Sequence, residues 1–314
     1  SLVMMAWDIK EGDAVFVPDF TFFASAEVVS FEGATPVFVD VDERTFNLDP
    51  DQLEKAIAVV KQQGKLRPRA VVAVDLFGQP ADYERIEAIC KEHGLLLLED
   101  GAQGFGGSIG ERRACSFGDA ATTSFFPAKP LGCYGDGGAV FTNDDQLDEL
   151  LRSLRVHGKS PVSKYDNVRI GVNSRLDTLQ AAVLGVKLDA FASYELESVN
   201  RAAQMYSEYL GEATKTPVVP EGFGSSWAQY TILLKDEAQR QKVQHALKEQ
   251  GIPTMVYYPK PMHLQGAFDQ LEQPVACPVT ESLCQRVVSL PMHPYLSEED
   301  IRFVSNAVKA ALEE

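Results

Sequence analysis

The five cysteines of this 314-residue chain (Cys90, Cys115, Cys133, Cys277 and Cys284) form no CxxC pair and no Cys/His metal spacing, so no metal site is expected. Their odd number argues against a disulfide framework and for a reducing, cytoplasmic setting. No run of Lys and Arg occurs, and the net charge is −16. Neutralising a phosphate backbone takes clustered cations, so nucleic acid is not the expected partner. An anionic ligand must be held by local donors against the overall field. No apolar stretch is long enough to span a membrane, no signal peptide opens the chain, and no internal repeat appears. The opening Ser1-Leu2-Val3-Met4-Met5-Ala6-Trp7 lacks both an initiator Met and an N-cap yet reads as the middle of a helix; a natural N-terminal segment is expected to precede it.

What is there begins with core material: 45% of the residues are hydrophobic, and the length suits about two domains. Short apolar runs at Ala14–Pro18, Thr35–Asp40, Ala70–Val74, Leu95–Glu99, Ala120–Phe126 and Ala139–Thr142 read as strands. Helical patterns separate them. Asp49 caps, Pro50 suits a first helical position, and Leu53, Ile57 and Val60 share one face. Ile86, Ile89, Cys90 and His93 form a second stripe that Gly94 ends. Strands joined by helix-length crossovers predict a mostly parallel sheet covered on both faces. Further on, Asp144–Val156 is expected to be helical, and Ser174 to Leu210 long and mostly helical. Tyr230–Leu234 and Thr254–Tyr258 read as strands around a helix at Asp236–Gln250, and Ser297-Glu-Glu-Asp300 opens a final helix as a loose capping box. The expected division is a large α/β domain over 1–190 and a small α+β domain over 191–314.

Two residues carry the chemistry. Lys129 lies between two prolines in Ser124-Phe-Phe-Pro-Ala-Lys-Pro-Leu-Gly-Cys-Tyr-Gly-Asp-Gly-Gly-Ala-Val140, just past a predicted strand. A nucleophilic amine must be stripped of water, and Phe125, Phe126, Pro127, Pro130 and Leu131 supply an apolar surround. Asp100 ends the run that starts at Leu95, where α/β sheets bind ligands. An amine and a carboxylate at successive strand ends suit pyridoxal phosphate (PLP), whose ring nitrogen stays protonated beside an acid. The plainer readings are a solvated surface lysine and a helix N-cap aspartate. Gly104, Gly106 and Gly110 after a strand approach a dinucleotide-binding fingerprint, but the spacing is GxGxxxG and no helical pattern follows. That near-match keeps a nicotinamide-dependent sugar-nucleotide oxidoreductase open as a rival.

From about Gly12 to Leu312 the chain resembles the DegT/DnrJ/EryC1/StrS sugar aminotransferases. The likeness rests on Glu99-Asp-Gly-Ala-Gln-Gly104, Ser124-Phe-Phe-Pro-Ala-Lys129, Gly135-Asp-Gly-Gly138 and Gly171-Val-Asn-Ser-Arg-Leu-Asp-Thr-Leu-Gln-Ala-Ala182. It implies the type I aminotransferase fold, a large mostly parallel mixed sheet domain plus a small C-terminal α+β domain. It also implies a cytoplasmic homodimer with shared sites, and PLP as cofactor. Lys129 would bind PLP as an imine and Asp100 would pair with the pyridinium. Gln103 would lie near the ring oxygen, Ser124 would bond the phosphate, and Phe22, in Phe20-Thr-Phe-Phe23, would stack on the ring. Asn173 would reach the phosphate in the neighbouring subunit, its plainer reading being a helix N-cap. Members with histidine in place of the lysine are dehydratases, so Lys129 implies transamination.

Within the family, the Ser124–Ala139 stretch, Val168-Arg-Ile-Gly-Val-Asn-Ser-Arg-Leu-Asp177 and Ser289-Leu-Pro-Met-His-Pro-Tyr-Leu296 resemble enzymes that aminate C3 of a UDP-linked 3-keto-glucuronic acid derivative. The implied donor is glutamate, and the implied setting is surface-polysaccharide biosynthesis. Arg175 would grip the sugar carboxylate in a two-point fork; an ion pair with Asp177 or another acid is its structural alternative. Tyr257 and Tyr258 match positions near the sugar, with Tyr-Tyr where the subgroup has His-Tyr. The family's Gly-Thr/Ser-x-Ala-Leu phosphate-binding turn is absent from this stretch, which leaves a non-catalytic relative as a further alternative.

Overall fold

The computed structural model describes residues 1–163 and 165–313. After a short helix α1 (Leu2–Ala6), strands and helices alternate: β1 (Asp13–Pro18), α2 (Ala24–Phe31), β2 (Thr35–Val39), α3 (Pro50–Gln63), β3 (Arg67–Val74), α4 (Tyr83–His93) and β4 (Leu96–Asp100). Two short strands, β5 (Ser108–Ile109) and β6 (Arg112–Arg113), precede β7 (Ala120–Ser124) and β8 (Gly138–Phe141). The six longer strands form one sheet in the order β2-β1-β3-β4-β7-β8, parallel throughout except for the antiparallel β8. A mostly parallel mixed sheet is what the sequence predicts.

Every residue of β1 is buried because the sheet is covered on both faces. Alternation along the strand sends Val15 and Val17 into one core, with Val3, Ala26 and Val29, and Ala14 and Phe16 into another, with Leu53, Ile57 and Ile86. The helix signals hold in detail. Asp49 accepts hydrogen bonds from the amides of Asp51 and Gln52, and α3 stops at Gly64, whose φ of 64° is left-handed. Asp82 caps α4 in the same way.

The second half runs through α5 (Asp145–Leu154), α6 (Thr178–Ala190) and α7 (Leu196–Leu210), the last two joined by a π-type turn at Phe191–Glu195. The short β9 (Phe223–Gly224) pairs with β5, and β10 (Tyr230–Leu233) leads into α8 (Glu237–Glu249). Then come α9 (Pro278–Arg286), β11 (Val287–Leu290) and α10 (Glu298–Glu313). A third core gathers Ala202, Tyr206, Ile232, Val243, Val288 and Val308. Ser297 and Asp300 cap reciprocally, the Ser297 amide donating to Asp300 at 2.9 Å and the Asp300 amide to Ser297 Oγ at 3.1 Å.

One predicted element is corrected. Thr254–Tyr258 is not a strand; only Met255 bridges to Ser289, and the antiparallel partner of β10 is β11. Pro253 and Pro259 flank the segment and offer no amide to a ladder. Val256, Tyr257 and Tyr258 pack instead against the first core of the large sheet.

Candidate active site

The parallel strands end on one edge, and there a cavity of about 850 Å³ opens. Phe22, Asp100, Gln103, Lys129, Asn173 and Arg175, all singled out by sequence, line it. Asp100 is the last residue of β4, in register with Val74 of β3 and Thr122 of β7. Both its oxygens are engaged: Ser25 Oγ donates to Oδ2 at 2.7 Å, and the Ala102 amide donates to Oδ1 at 3.2 Å. Ser25 in turn shares a hydrogen bond with Thr21 at 3.1 Å. The N-cap reading of Asp100 fails because 102–106 form a turn and no helix follows.

Gln103 is buried and its amide is oriented from both ends. Oε1 accepts the Phe77 amide at 2.7 Å, and Nε2 donates to the Tyr258 hydroxyl at 3.0 Å, leaving one amide hydrogen. Phe77 adopts a left-handed φ of 59°, an uncommon conformation for a bulky residue, and so aims its N–H at Gln103. Burial pushes the Tyr258 phenol up, which keeps it a neutral donor and acceptor.

Lys129 sits half-buried in a turn closed by its amide to Phe126 O at 2.9 Å. Burial lowers the pKa of its amine, opposed by the carboxylate of Asp100. Both groups line the same cavity. The predicted apolar surround is only partly realised: Phe125 and Leu131 go inward to Cys133 and Phe191, whereas Phe126 is 51% exposed. Phe22 presents a ring 56% exposed on the cavity wall, 6.3 Å from the Tyr258 ring.

Three predicted residues do not line the cavity: Ser124, Tyr257 and Tyr258, the last reaching it only through its bond to Gln103. Ser124, at the end of β7, does not line the cavity; its Oγ accepts the Phe126 amide at 3.3 Å. Tyr257 packs on Tyr258, with ring centroids 5.9 Å apart, and also lies off the lining. Asn173 and Arg175 are exposed on the rim of the chain's own cavity, where Arg175 Nε donates to Asn173 Oδ1 at 2.9 Å. Neither structural alternative holds for them. The next helix starts at Thr178 under an Asp177 cap, and among the described residues Arg175 forms no ion pair with Asp177 or another acid.

The cavity lining also holds Arg152 and Arg155 together with Asp136 and Asp148, and Arg152 Nε donates to Asp148 Oδ2 at 2.8 Å. Gly104 has a packing role, since a Cβ there would stand 2.2 Å from Asp75 Oδ2. With the short β5 following in place of a helix, the glycines do not build a dinucleotide site. Sequence reasoning missed Ser25, Phe77 and Asp75. Asp75 carried the same signal as Asp100, an acid just past a buried strand. Outside the cavity, Asp19, His263 and Cys277 place ligand-type atoms within 4.8 Å of one another. His263 Nδ1 lies 2.7 Å from Asp19 Oδ2, so this group is already closed by a hydrogen bond.

The sequence profile of the DegT/DnrJ/EryC1/StrS aminotransferase family matches residues 1–309. The chain is 43% identical over 308 residues to UDP-2-acetamido-2-deoxy-3-oxo-D-glucuronate aminotransferase of Pseudomonas aeruginosa, covering 98% of this chain and 82% of the relative. It is 42% identical over 312 residues to UDP-N-acetyl-3-dehydro-alpha-D-glucosamine 3-aminotransferase of Acidithiobacillus ferrooxidans, covering 99% and 81%. Among solved structures, a DegT DnrJ EryC1 StrS aminotransferase from Brucella abortus superposes with a TM-score of 0.95 at 49% identity, covering 98% and 82%.

Proposed function

The chain belongs to the DegT/DnrJ/EryC1/StrS aminotransferase family and has its type I α/β fold, and on that premise we propose that it is a PLP-dependent aminotransferase of a UDP-linked 3-keto-glucuronic acid derivative, with glutamate as amino donor. The observation that carries this reading is the pairing of Lys129 and Asp100 in one cavity, the amine with a lowered pKa and the acid held by Ser25 and Ala102.

The residues fit the cofactor chemically. Asp100 would pair with the protonated ring nitrogen, Phe22 would stack on the ring, and Gln103 has one amide hydrogen left for the ring oxygen. Lys129 would hold the cofactor covalently through Nζ. When bound, PLP supplies an electron sink that stabilises negative charge on the carbon losing a proton. Lys129 Nζ, its pKa lowered by burial and its place taken by the donor's amine, would take the proton from the α-carbon of the donor and return it on the sugar side. Overall, the donor's amine and hydrogen exchange with the carbonyl oxygen of the sugar. The arginines near the rim would take the diphosphate and Arg175 the sugar carboxylate. Ser124 Oγ accepts the Phe126 amide, which leaves its hydroxyl hydrogen free to donate to the phosphate.

We further propose a homodimer. Tyr134, Ile170, Leu179 and Val186 expose 74% or more of their surface on and near the segment that carries Asn173 and Arg175. A second copy would cover them and place Asn173 at a shared site. The proposed division at 190/191 is supported by the separate core of the C-terminal part. A cytoplasmic setting is supported by five free, buried cysteines. No helix among the described residues is long and apolar enough to cross a membrane.

Borohydride reduction in the presence of PLP, followed by intact-mass measurement, tests the reading. The chain should gain the mass of one cofactor, and Lys129→Ala should neither gain it nor turn over glutamate. Turnover retained in Lys129→Ala would overthrow the assignment.

A further inference from the structure

Beneath the turn that carries Asp100 and Gln103 lie two carboxyl groups that the reaction does not use. Asp75 follows β3 and Glu99 is the penultimate residue of β4; both are 0% exposed. Glu99 Oε2 accepts the Phe117 amide at 2.7 Å, and Oε1 accepts the Cys115 amide. Asp75 Oδ1 accepts the Tyr83 hydroxyl at 2.7 Å and the Ala81 amide at 3.3 Å. Asp75 Oδ2 is buried without a donor of its own, pressed under Gly104. In-register pairing of Ala73 with Glu99 puts Glu99 on the same face of the sheet as Ala73 and, two residues on, Asp75, and the donors to the two acids, Tyr83 and Phe117, stack with ring centroids 4.4 Å apart. Two buried carboxylates side by side with no cation between them cannot both stay charged, since four donors offset part of the lost hydration but not the repulsion or the unpartnered Oδ2. A proton between them turns the contact into a hydrogen bond and gives Oδ2 its partner. Glu99, held by two amides, is the better anion, so the proton belongs on Asp75.

We propose that Asp75 and Glu99 hold one shared proton at neutral pH, and that this pair is a positioning element that clamps the Asp100–Gly104 turn onto β3. The links run both ways. The Asp75 amide donates to Asp100 O at 3.1 Å, Phe77 two residues on orients Gln103, and Gly104 rests on Asp75 Oδ2. Only the last link, from the turn to a working Asp100, rests on the aminotransferase reading.

The surroundings agree. Burial, then the charge of Glu99, raises the Asp75 carboxyl well above the ordinary carboxylate range, with Tyr83 acting against it. Burial also raises Glu99, opposed by Asp75 and its two amides and by Arg112. Tyr83 and Cys115 face the pair and are themselves pushed up by burial, so they stay neutral. An acid with a raised folded pKa stabilises the fold below its unfolded pKa and loses that stabilisation as pH rises. Between the ordinary carboxylate pKa and the raised one the folded chain thus carries one proton more than the unfolded one, and unfolding becomes about tenfold more favourable per pH unit through this group.

The experiment uses the cofactor-free chain first. Infrared difference spectra at neutral pH should show a buried carboxylic-acid C=O band that Asp75→Asn abolishes. Denaturant unfolding should show the pH dependence flattened by about one proton in Asp75→Asn, which keeps the shape and a donor but cannot titrate. A band that survives in Asp75→Asn, or an unchanged pH slope, overturns the shared proton. PLP is then added. Asp75→Leu should move the pH midpoint of the bound-PLP absorption band, and Asp75→Asn should restore it; Asp75→Ser replaces the leucine variant if that one does not fold. A wild-type midpoint in the folded Leu or Ser variant overturns the positioning role. If the unmutated chain binds no PLP, the aminotransferase reading falls, while the infrared and unfolding results still decide the proton.

Discussion

Ser25 Oγ donates to Asp100 Oδ2 at 2.7 Å, tying the first turn of α2 to the end of β4 across 75 residues of sequence. With the Ala102 amide on Oδ1, this leaves the carboxylate little freedom to turn away from the cavity. An acid that must face a ring nitrogen needs this kind of second support, because a misaligned pair loses the charge-assisted bond.

Removal of the hydroxyl in Ser25→Ala is therefore expected to lower kcat/KM. A hydrogen bond to a charged group contributes about 1.5–3 kcal/mol, which corresponds to roughly 10- to 100-fold in rate. Ser25→Thr keeps the donor and should stay near the starting value. Steady-state kinetics with glutamate and a keto-sugar nucleotide decides the point, and equal kcat/KM in Ser25→Ala would remove Ser25 from the account.

Gly104→Ala is expected to destabilise the fold for a steric reason. The added Cβ would stand 2.2 Å from Asp75 Oδ2 and 2.6 Å from its Cβ, and overpacking of a tight site costs about 1–3 kcal/mol or more. Truncation in Asp75→Gly removes both atoms, so the double variant should lose less than the sum of the single ones. Strict additivity in urea unfolding would show that the two residues do not press on each other.

These two relationships also mark how far the sequence could be read. Lys129 and Asp100 were legible because each follows a short apolar run, and position at a strand mouth is a local signal. The caps at Asp49 and Ser297 were legible for the same reason. Contacts between distant segments left no such trace. Gln103 meets Tyr258 across 155 residues, and nothing in the spacing announces it. Thr254–Tyr258 is a short run of β-branched, apolar and aromatic residues and so reads as a strand, yet its flanking prolines and the large-sheet core take it elsewhere. The true partner, Val287–Leu290, is only four residues long and follows α9 without a turn signal, so it reads as the tail of a helix.

His263 should make stability depend on pH. Its ring lies 2.7 Å from Asp19 Oδ2, and its amide donates to Asp19 Oδ1 at 2.8 Å, joining the 262–264 turn to the end of β1. The hydrogen bond with Asp19 raises the His263 pKa, with burial opposing. Asp19 is also raised, since burial outweighs the His263 bonds there. Both shifts act with the same sign: each stabilises below its unfolded pKa and fades as pH climbs through the folded one. Wild type should therefore lead His263→Gln by about 1–3 kcal/mol near pH 6, and the gap should shrink by pH 8. Unfolding curves at both pH values test this, and a constant gap would show that the ring's charge plays no part.

Arg175 carries the prediction about substrate. It is exposed on the cavity rim, bonded to Asn173 through Nε, which leaves the two terminal nitrogens of the guanidinium free to meet a carboxylate as a fork. A lysine cannot reproduce two parallel bonds, since its ammonium is a single point charge. Arg175→Ala should therefore raise KM about tenfold for a UDP-3-keto-glucuronic acid derivative, the rim's exposure limiting the loss. Arg175→Lys should recover only part of it. The matching neutral 3-keto-glucose nucleotide should bind both variants as it binds the unmutated chain, because it brings no carboxylate to the rim. Comparing KM for the two sugars separates a carboxylate grip from a general effect on the cavity. An equal rise for both would assign Arg175 to the nucleotide diphosphate, together with Arg152 and Arg155, and would leave the uronic-acid preference without a residue to explain it.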